Sequence, residues 1–338
     1  MQRRTKDILK FVLFVGIGVF FVCWFLLKLE PEQKQAIWQS FIHANYAWVA
    51  IVMGVCILSN WVRALRWQLL LKALGHPPRF INTFGAVNVT YMANLAFPRL
   101  GDVLRCGVLR TSDDVPIEQS LGTVVTERMV DVLAFVVVVI GGVFVAYAEL
   151  HDWLLQSLPS ETTLRNLTIL GVVAVVLLIA AIWGYRRNAD KLRKRTFFQR
   201  VDNILRGFAD GLKSIFRLHG RQLFSFVLYS LMIYLLYIIG GLLLFNAIPA
   251  TQGLGFKAAY VVYIFGSVGM AVSQGGIGVY PVLVWLALSV YNIGQEDALA
   301  YGWLLWGSQQ VIVIIVGLFF MVRFFLLKRK NIDEQQQM

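Results

Sequence analysis

Long uncharged stretches alternate along this chain with short segments that carry nearly all of its charge. The stretches 11–27, 46–62, 132–148, 167–185, 223–248 and 298–322 reach or approach the roughly 20 residues a helix needs to cross a hydrocarbon core about 30 Å thick. Backbone amides cannot stay unpaired in lipid, and barrel strands would alternate polar and apolar positions over about 10 residues, so unbroken runs of this length predict helices. The pattern predicts an all-α integral membrane protein with about six full crossings, forming a single polytopic domain over 1–338.

Two uncharged segments do not fit simple crossings. Segment 80–98 contains Asn82, Thr83, Asn88, Thr90 and Asn94, and basic residues on both sides place both of its ends on one face of the membrane. A re-entrant hairpin within 80–110 meets both constraints. Segment 258–295 is too long for one span and is interrupted by SQGGIGVYP, which predicts a second re-entrant hairpin within 256–293, entering from the opposite face. Each half of the chain then holds a crossing helix followed by a broken hairpin, the arrangement of an inverted repeat. Transporters with such repeats place substrate where discontinuous helices meet near the midplane.

Composition agrees with this solvent. The chain is 58% hydrophobic and 15% charged, with a mean hydropathy of +0.67, against roughly half apolar and a quarter charged in soluble domains. The net charge of +12 is concentrated at the N-terminus, in 63–128, in 186–221 and after Arg323, while 28–45, 149–164 and 249–257 are short of it. By the positive-inside rule this predicts cytoplasmic N- and C-termini in a cytoplasmic (inner) membrane. After the first stretch the chain reads KLEPEQKQ, without a small-residue cleavage site, so that stretch is expected to remain as a helix. In 186–221, basic residues interleave with Phe197, Phe198, Val201, Ile204, Leu205 and Phe208 at largely helical spacing, which predicts an amphipathic helix lying on anionic lipid headgroups. No stacking platform or nucleic-acid module accompanies these charges, so nucleic acid is not an expected partner. Cys23, Cys56 and Cys106, the scattered His43, His76, His151 and His219, and the lack of HExxH, GxSxG and Walker motifs give no metal, cofactor or hydrolase site.

Candidate chemistry clusters in three places. In NLAFPRLGDVLR, Pro98 and Gly101 break the helix, Asp102 falls where an N-cap belongs, and Arg99 and Arg105 flank the new helix start. Free amides beside two guanidiniums suit an anion, and the arginine fork suits phosphate, so a lipid phosphate is the expected ligand. Arg110 could extend the basic surface, and Arg63 and Arg66 are expected to snorkel to the interface. In TVVTERMVD, Glu127 and Asp131 stand four apart with Arg128 three before Asp131, which places them together on one helical face. They either gate a transport site or neutralise Arg99 and Arg105 to hold the hairpin shut. In the second hairpin, Gly275, Gly276 and Gly278 permit positive φ and close approach to a ligand or another helix, and Pro281 is expected to open the next helix.

Together these segments resemble the lysylphosphatidylglycerol synthase transmembrane-region family, whose pattern runs Asn, then P-x-R-x-G-E-x-x-R, E-R-x-x-D and a late P-G-G-x-G followed by an acid. The matching residues are Asn94, Arg99, Gly101, Arg105, Glu127, Arg128, Asp131, Gly275, Gly276 and Gly278. Pro98 directly precedes Arg99, Asp102 replaces a glutamate, Gln274 replaces a proline, and Pro281 stands where the acid often lies, so the second hairpin lacks that carboxylate. The resemblance implies a flippase-like carrier of a membrane phospholipid or isoprenoid-linked lipid. Asn94, Arg99, Arg105 and the three glycines would bind substrate, while Asp102, Glu127, Arg128 and Asp131 would gate or balance charge. Aminoacyl transfer is not expected, because the largest polar segment, 186–221, is far below the ~100 residues of an ordinary domain. Two other readings remain open: a lipid-modifying enzyme with Glu127 or Asp131 as general base, and an accessory subunit of a lipid-synthesis complex acting through 186–221. A homo-oligomer is compatible with all three.

Overall fold

The computed structural model describes residues 31–96, 100–149, 151, 218 and 220–336, and among these the chain is helical with short turns and no strand. The expected crossings at 11–27 and 167–185, and nearly all of the basic segment 186–221, lie outside the described residues. The helices are α1 (Pro31–Ile42), α2 (Tyr46–Ala73), α3 (Phe80–Ala96), α4 (Leu100–Asp113), α5 (Ile117–Val145), α6 (Gly220–Leu244), α7 (Phe256–Val272), α8 (Val279–Ser289) and α9 (Gln295–Gln336).

Among the described residues, three segments are long and apolar enough to cross a membrane, namely Tyr46–Ala73, Gly220–Ala247 and Gln295–Leu327. The protein is thus an all-α membrane protein. Asn45 starts α2, its side-chain oxygen accepting from the Ala47 amide at 3.1 Å and so satisfying a donor that the helix itself cannot. Helix α5 has two characters. Its first half carries Glu118, Glu127, Arg128 and Asp131, whereas its second half is apolar, with Val137 68% and Phe144 81% exposed. Bulky apolar side chains turned outward on α5, α6 and α9 are what a lipid-facing surface requires.

The interruptions expected from sequence separate real helix pairs. Helices α3 and α4 pack against each other. At one end of the pair, Asp113 accepts from the Arg79 amide at 2.9 Å and from Asn82 Nδ2 at 3.0 Å, which caps the start of α3 with the end of α4. At the other end, Asn94 Oδ1 accepts from the Gly101 amide at 2.9 Å. A Cβ on Gly101 would run into the Thr90 carbonyl oxygen, so only glycine lets the helices approach this closely. Because α4 begins at Leu100, Asp102 lies inside the first turn rather than at the cap position expected for it.

Helices α7 and α8 form the second pair, joined by a turn in which Gly275, Gly276 and Gly278 take φ of 62°, 79° and 74°. These are left-handed values that glycine adopts without a Cβ penalty. Pro281 falls within the first turn of α8, which opens at Val279, instead of starting it.

Helix α9 ties the two pairs together. Near its start Gly302 faces Pro281, where a Cβ would come within 2.8 Å of the Pro281 Cα. Farther along, a Cβ on Gly317 would come within 2.6 Å of Met92 Cβ on α3. Between them Trp306 donates its indole N–H to the Gly275 carbonyl at 2.7 Å. The turn of the second pair also meets the tip of the first, since a Cβ on Gly275 would lie 3.3 Å from Leu95 Cδ2.

Candidate functional site

Helices α2, α4 and α5 converge on a network of ionised side chains. Helical spacing puts Arg63 and Arg66 on one face of α2, and the same rule aligns Glu127 and Asp131 on α5. Arg66 reaches both acids, with Nη2 3.2 Å from Glu127 Oε1 and Nη1 2.8 Å from Asp131 Oδ1. Arg63 Nη1 donates to Asp131 Oδ2 at 3.0 Å. From α4, Arg105 Nη1 meets the second oxygen of Glu127 at 2.9 Å. Arg128 Nη2 donates to Asp102 Oδ1 at 2.9 Å and its Nη1 stands 3.9 Å from Asp131 Oδ2.

The network is largely buried. The side chains of Arg66, Arg105 and Glu127 are 0%, 2% and 2% exposed, while that of Arg128 is 41% exposed. Removing charges like these from water costs several kcal/mol per ion, which mutual pairing must offset. Four guanidiniums face three carboxylates here, so the described cluster carries one positive charge in excess. Donors exceed acceptors as well. Arg63 Nε, Arg66 Nε, Arg105 Nε, Arg105 Nη2 and the Tyr91 hydroxyl are buried without a hydrogen-bond partner among the described residues.

Aromatic rings wall the cluster. Arg105 lies 4.4 Å from the Trp67 ring centre, and the Trp67 N–H is fixed by Thr123 Oγ1 at 2.9 Å. Arg66 covers Phe226 on α6 at 5.5 Å and Arg63 covers Tyr91 on α3 at 5.7 Å. Such contacts stabilise buried cations. On the α6 side, Tyr234 donates to the Asp131 backbone carbonyl at 2.8 Å, and Tyr237 accepts from Arg63 Nη2 at 3.3 Å. Tyr237 in turn stacks on Tyr263 of α7 at 5.9 Å, which connects the charged cluster to the second helix pair.

Several sequence-predicted residues thus come together. Asp102, Arg105, Glu127, Arg128 and Asp131 form one network, with Glu127 paired to Arg105. Asn94 binds the Gly101 amide next to it. Arg99 lies outside the described residues. Gly275 and Gly276 take positive φ and face protein atoms, Leu95 for the first and Met270, Trp306 and Tyr280 for the second. Arg63 and Arg66 do not snorkel: they are buried at the centre of the network, because the acids of α5 lie within reach and the interface is not needed to satisfy them. Sequence reasoning missed Trp67, Tyr91, Tyr234, Tyr237 and Tyr263. The signal available was the 63/66 spacing on α2, matched to the 127/131 spacing on α5.

The chain has relatives among known proteins. The chain is 23% identical over 267 residues to the UPF0104 membrane protein MJ1595 of Methanocaldococcus jannaschii, covering 77% of this chain and 79% of that one. It is 29% identical over 91 residues to the glycosyltransferase AglD of Haloferax volcanii, a match spanning 27% of this chain and 15% of that protein. No solved structure matches the chain. The sequence profile of the lysylphosphatidylglycerol synthase TM region matches residues 8–317. A match of that extent, with the arginine and acid motifs brought into a single network, means that the chain belongs to the lysylphosphatidylglycerol synthase transmembrane-region family.

Proposed function

We propose that this protein carries an anionic phospholipid or isoprenoid-linked lipid between leaflets of a cytoplasmic membrane, as a flippase-like transporter with both termini cytoplasmic. The observation that carries the reading is the buried network with one cation in excess and several unmatched N–H donors. A membrane protein keeps ionised side chains at such cost where they serve a substrate path. The two helix pairs are then re-entrant hairpins whose tips, Leu95 and Gly275, meet beside the headgroup path. Arg99, Arg105 and Asn94 belong to the substrate site, and Asp102, Glu127, Arg128 and Asp131 balance it. Membership of a family named for a lipid-synthesising enzyme's membrane region supports a lipid substrate. The partial match to a protein named a glycosyltransferase keeps sugar-bearing lipids within the class. Both oxygens of Glu127 are already engaged by guanidiniums, which favours a counter-charge role over that of a general base.

The test is transport in proteoliposomes carrying headgroup-labelled lipid. Wild-type protein is expected to expose inner-leaflet label to an external quencher faster than empty vesicles. The double variant Arg99→Ala, Arg105→Ala is expected to return the rate to that of empty vesicles. Retention of the wild-type rate by a folded double variant refutes the assignment.

A further inference from the structure

Asp102 is held unlike the other two carboxylates. Glu127 is paired at 3.2 and 2.9 Å by Arg66 and Arg105, and Asp131 at 3.0 and 2.8 Å by Arg63 and Arg66. Among the described residues Asp102 makes one close ion pair, at 2.9 Å with Arg128, and its oxygen stops 3.8 Å from Arg105 Nη2, beyond hydrogen-bond reach. That Nη2 and the neighbouring Nε are buried and without a hydrogen-bond partner among the described residues. The Tyr91 hydroxyl, likewise buried and unpartnered, lies within Coulombic range of Arg63 and Arg128. An unused guanidinium donor of Arg105 therefore lies just beyond the reach of the Asp102 carboxylate, whose close partner, Arg128, is part exposed.

We propose that Asp102 occupies the seat of a lipid phosphate, and that the phosphate of a phosphodiester lipid displaces it from Arg128 and takes Arg105 Nη2 as well. The proposal rests on the transport reading and names the substrate chemistry of that site. A phosphodiester bears a single negative charge, so its exchange for the Asp102 carboxylate leaves the charge balance of the described cluster unchanged. Its tetrahedral oxygens span a wider fork than a planar carboxylate, and arginine donates to such oxygens two at a time. An internal competitor also serves a carrier, which must bind substrate firmly enough to accept it and loosely enough to release it. When the lipid leaves, Asp102 returns to Arg128 and the guanidinium is not stranded.

Native mass spectrometry in mild detergent tests this with three probes: phosphatidylglycerol, diacylglycerol as the phosphate-free lipid, and glycerol 3-phosphate as the free headgroup. Asp102→Asn is expected to tighten phosphatidylglycerol binding about tenfold, the scale of one charge-assisted hydrogen bond. Diacylglycerol binding is expected to stay unchanged, and Asp102→Glu, which keeps the charge, to stay near wild type. Unchanged or weaker phosphatidylglycerol binding by a folded Asp102→Asn overturns the proposal. Equal tightening of glycerol 3-phosphate assigns the seat to a free phosphate and overturns its lipid part. Asp102→Ser is the second variant; failure of both to give a wild-type gel-filtration profile makes the carboxylate a structural counter-ion and also overturns it. A wild-type protein that prefers phosphatidylglycerol no more than diacylglycerol, and moves neither between leaflets, removes the transport reading itself. Variant results in a wild type that does bind phosphatidylglycerol bear on Asp102 alone.

Discussion

Glu127 offers one oxygen to Arg66 and the other to Arg105, so a single side chain joins α2 to α4 through α5. Glu127→Gln leaves two buried guanidiniums without their shared counter-charge, and breaking a buried pair from one side costs roughly 3–5 kcal/mol. The expected outcome is a lower melting temperature in detergent, larger than that caused by replacing the exposed Glu118 with Gln. Removing both partners is expected to cost less than the sum of the single changes, so that Glu127→Gln combined with Arg105→Met recovers part of the loss. Strict additivity would show that the two residues are not coupled. This scale is also where sequence reading was weakest. The motif residues on α4 and α5 were legible because close sequence spacing fixes which of them share a face. The partners of Arg63 and Arg66 lie more than 60 residues downstream, as Asp131 does from Arg63, 68 residues away. Only tertiary packing decides that such residues meet the acids rather than water.

At the scale of elements, the helices follow from long apolar runs and the second break from the glycine cluster, whereas Gly101, expected to break the first, lies inside α4, and Pro98 lies outside the described residues. What the pattern could not supply was the reason for each glycine. Gly101 is required because α3 passes so close that the Thr90 carbonyl fills the place of a Cβ, with no unusual backbone angle involved. Gly276 combines a φ of 79° with Met270 Sδ only 2.6 Å from where a Cβ would stand. Gly276→Ala is therefore expected to destabilise the protein by about 1–3 kcal/mol from backbone strain alone. Gly107→Ala is the control: nothing lies within 4 Å of its Cβ position, and the change places alanine in a helix, so it should be neutral or stabilising by up to about 1 kcal/mol. Thermal unfolding of the two variants in the same detergent checks the contrast, and equal melting temperatures would contradict this account of the turn. Gly75 does not serve as a control, because its φ of 85° would itself strain an alanine.

For the whole molecule, the decisive relation is the meeting of two interruptions that lie 180 residues apart in the chain, Leu95 and Gly275. Helix α9 enforces it by fitting Gly302 to the second pair and Gly317 to the first, with Trp306 bonded to the turn between them. Hydrophobic patterning can suggest two hairpins, but not that a third helix clamps their tips together, since each small-residue contact depends on the partner helix's position. If a lipid headgroup passes beside these tips, they must separate or shift during transport. Leu95→Cys with Gly275→Cys, made after replacing Cys23, Cys56 and Cys106 with alanine, is expected to join under mild oxidation or through a short bridging reagent. Joining should stop leaflet exchange of labelled lipid relative to the reduced double variant, which carries the same backbone strain at position 275, where φ is 62°. Each single variant should exchange equally with and without oxidation. A pair that fails to join, with each cysteine reacting freely with a membrane-impermeant reagent, would show that the tips stand apart in water. A pair that joins without slowing exchange would instead keep the contact and move the lipid path away from it.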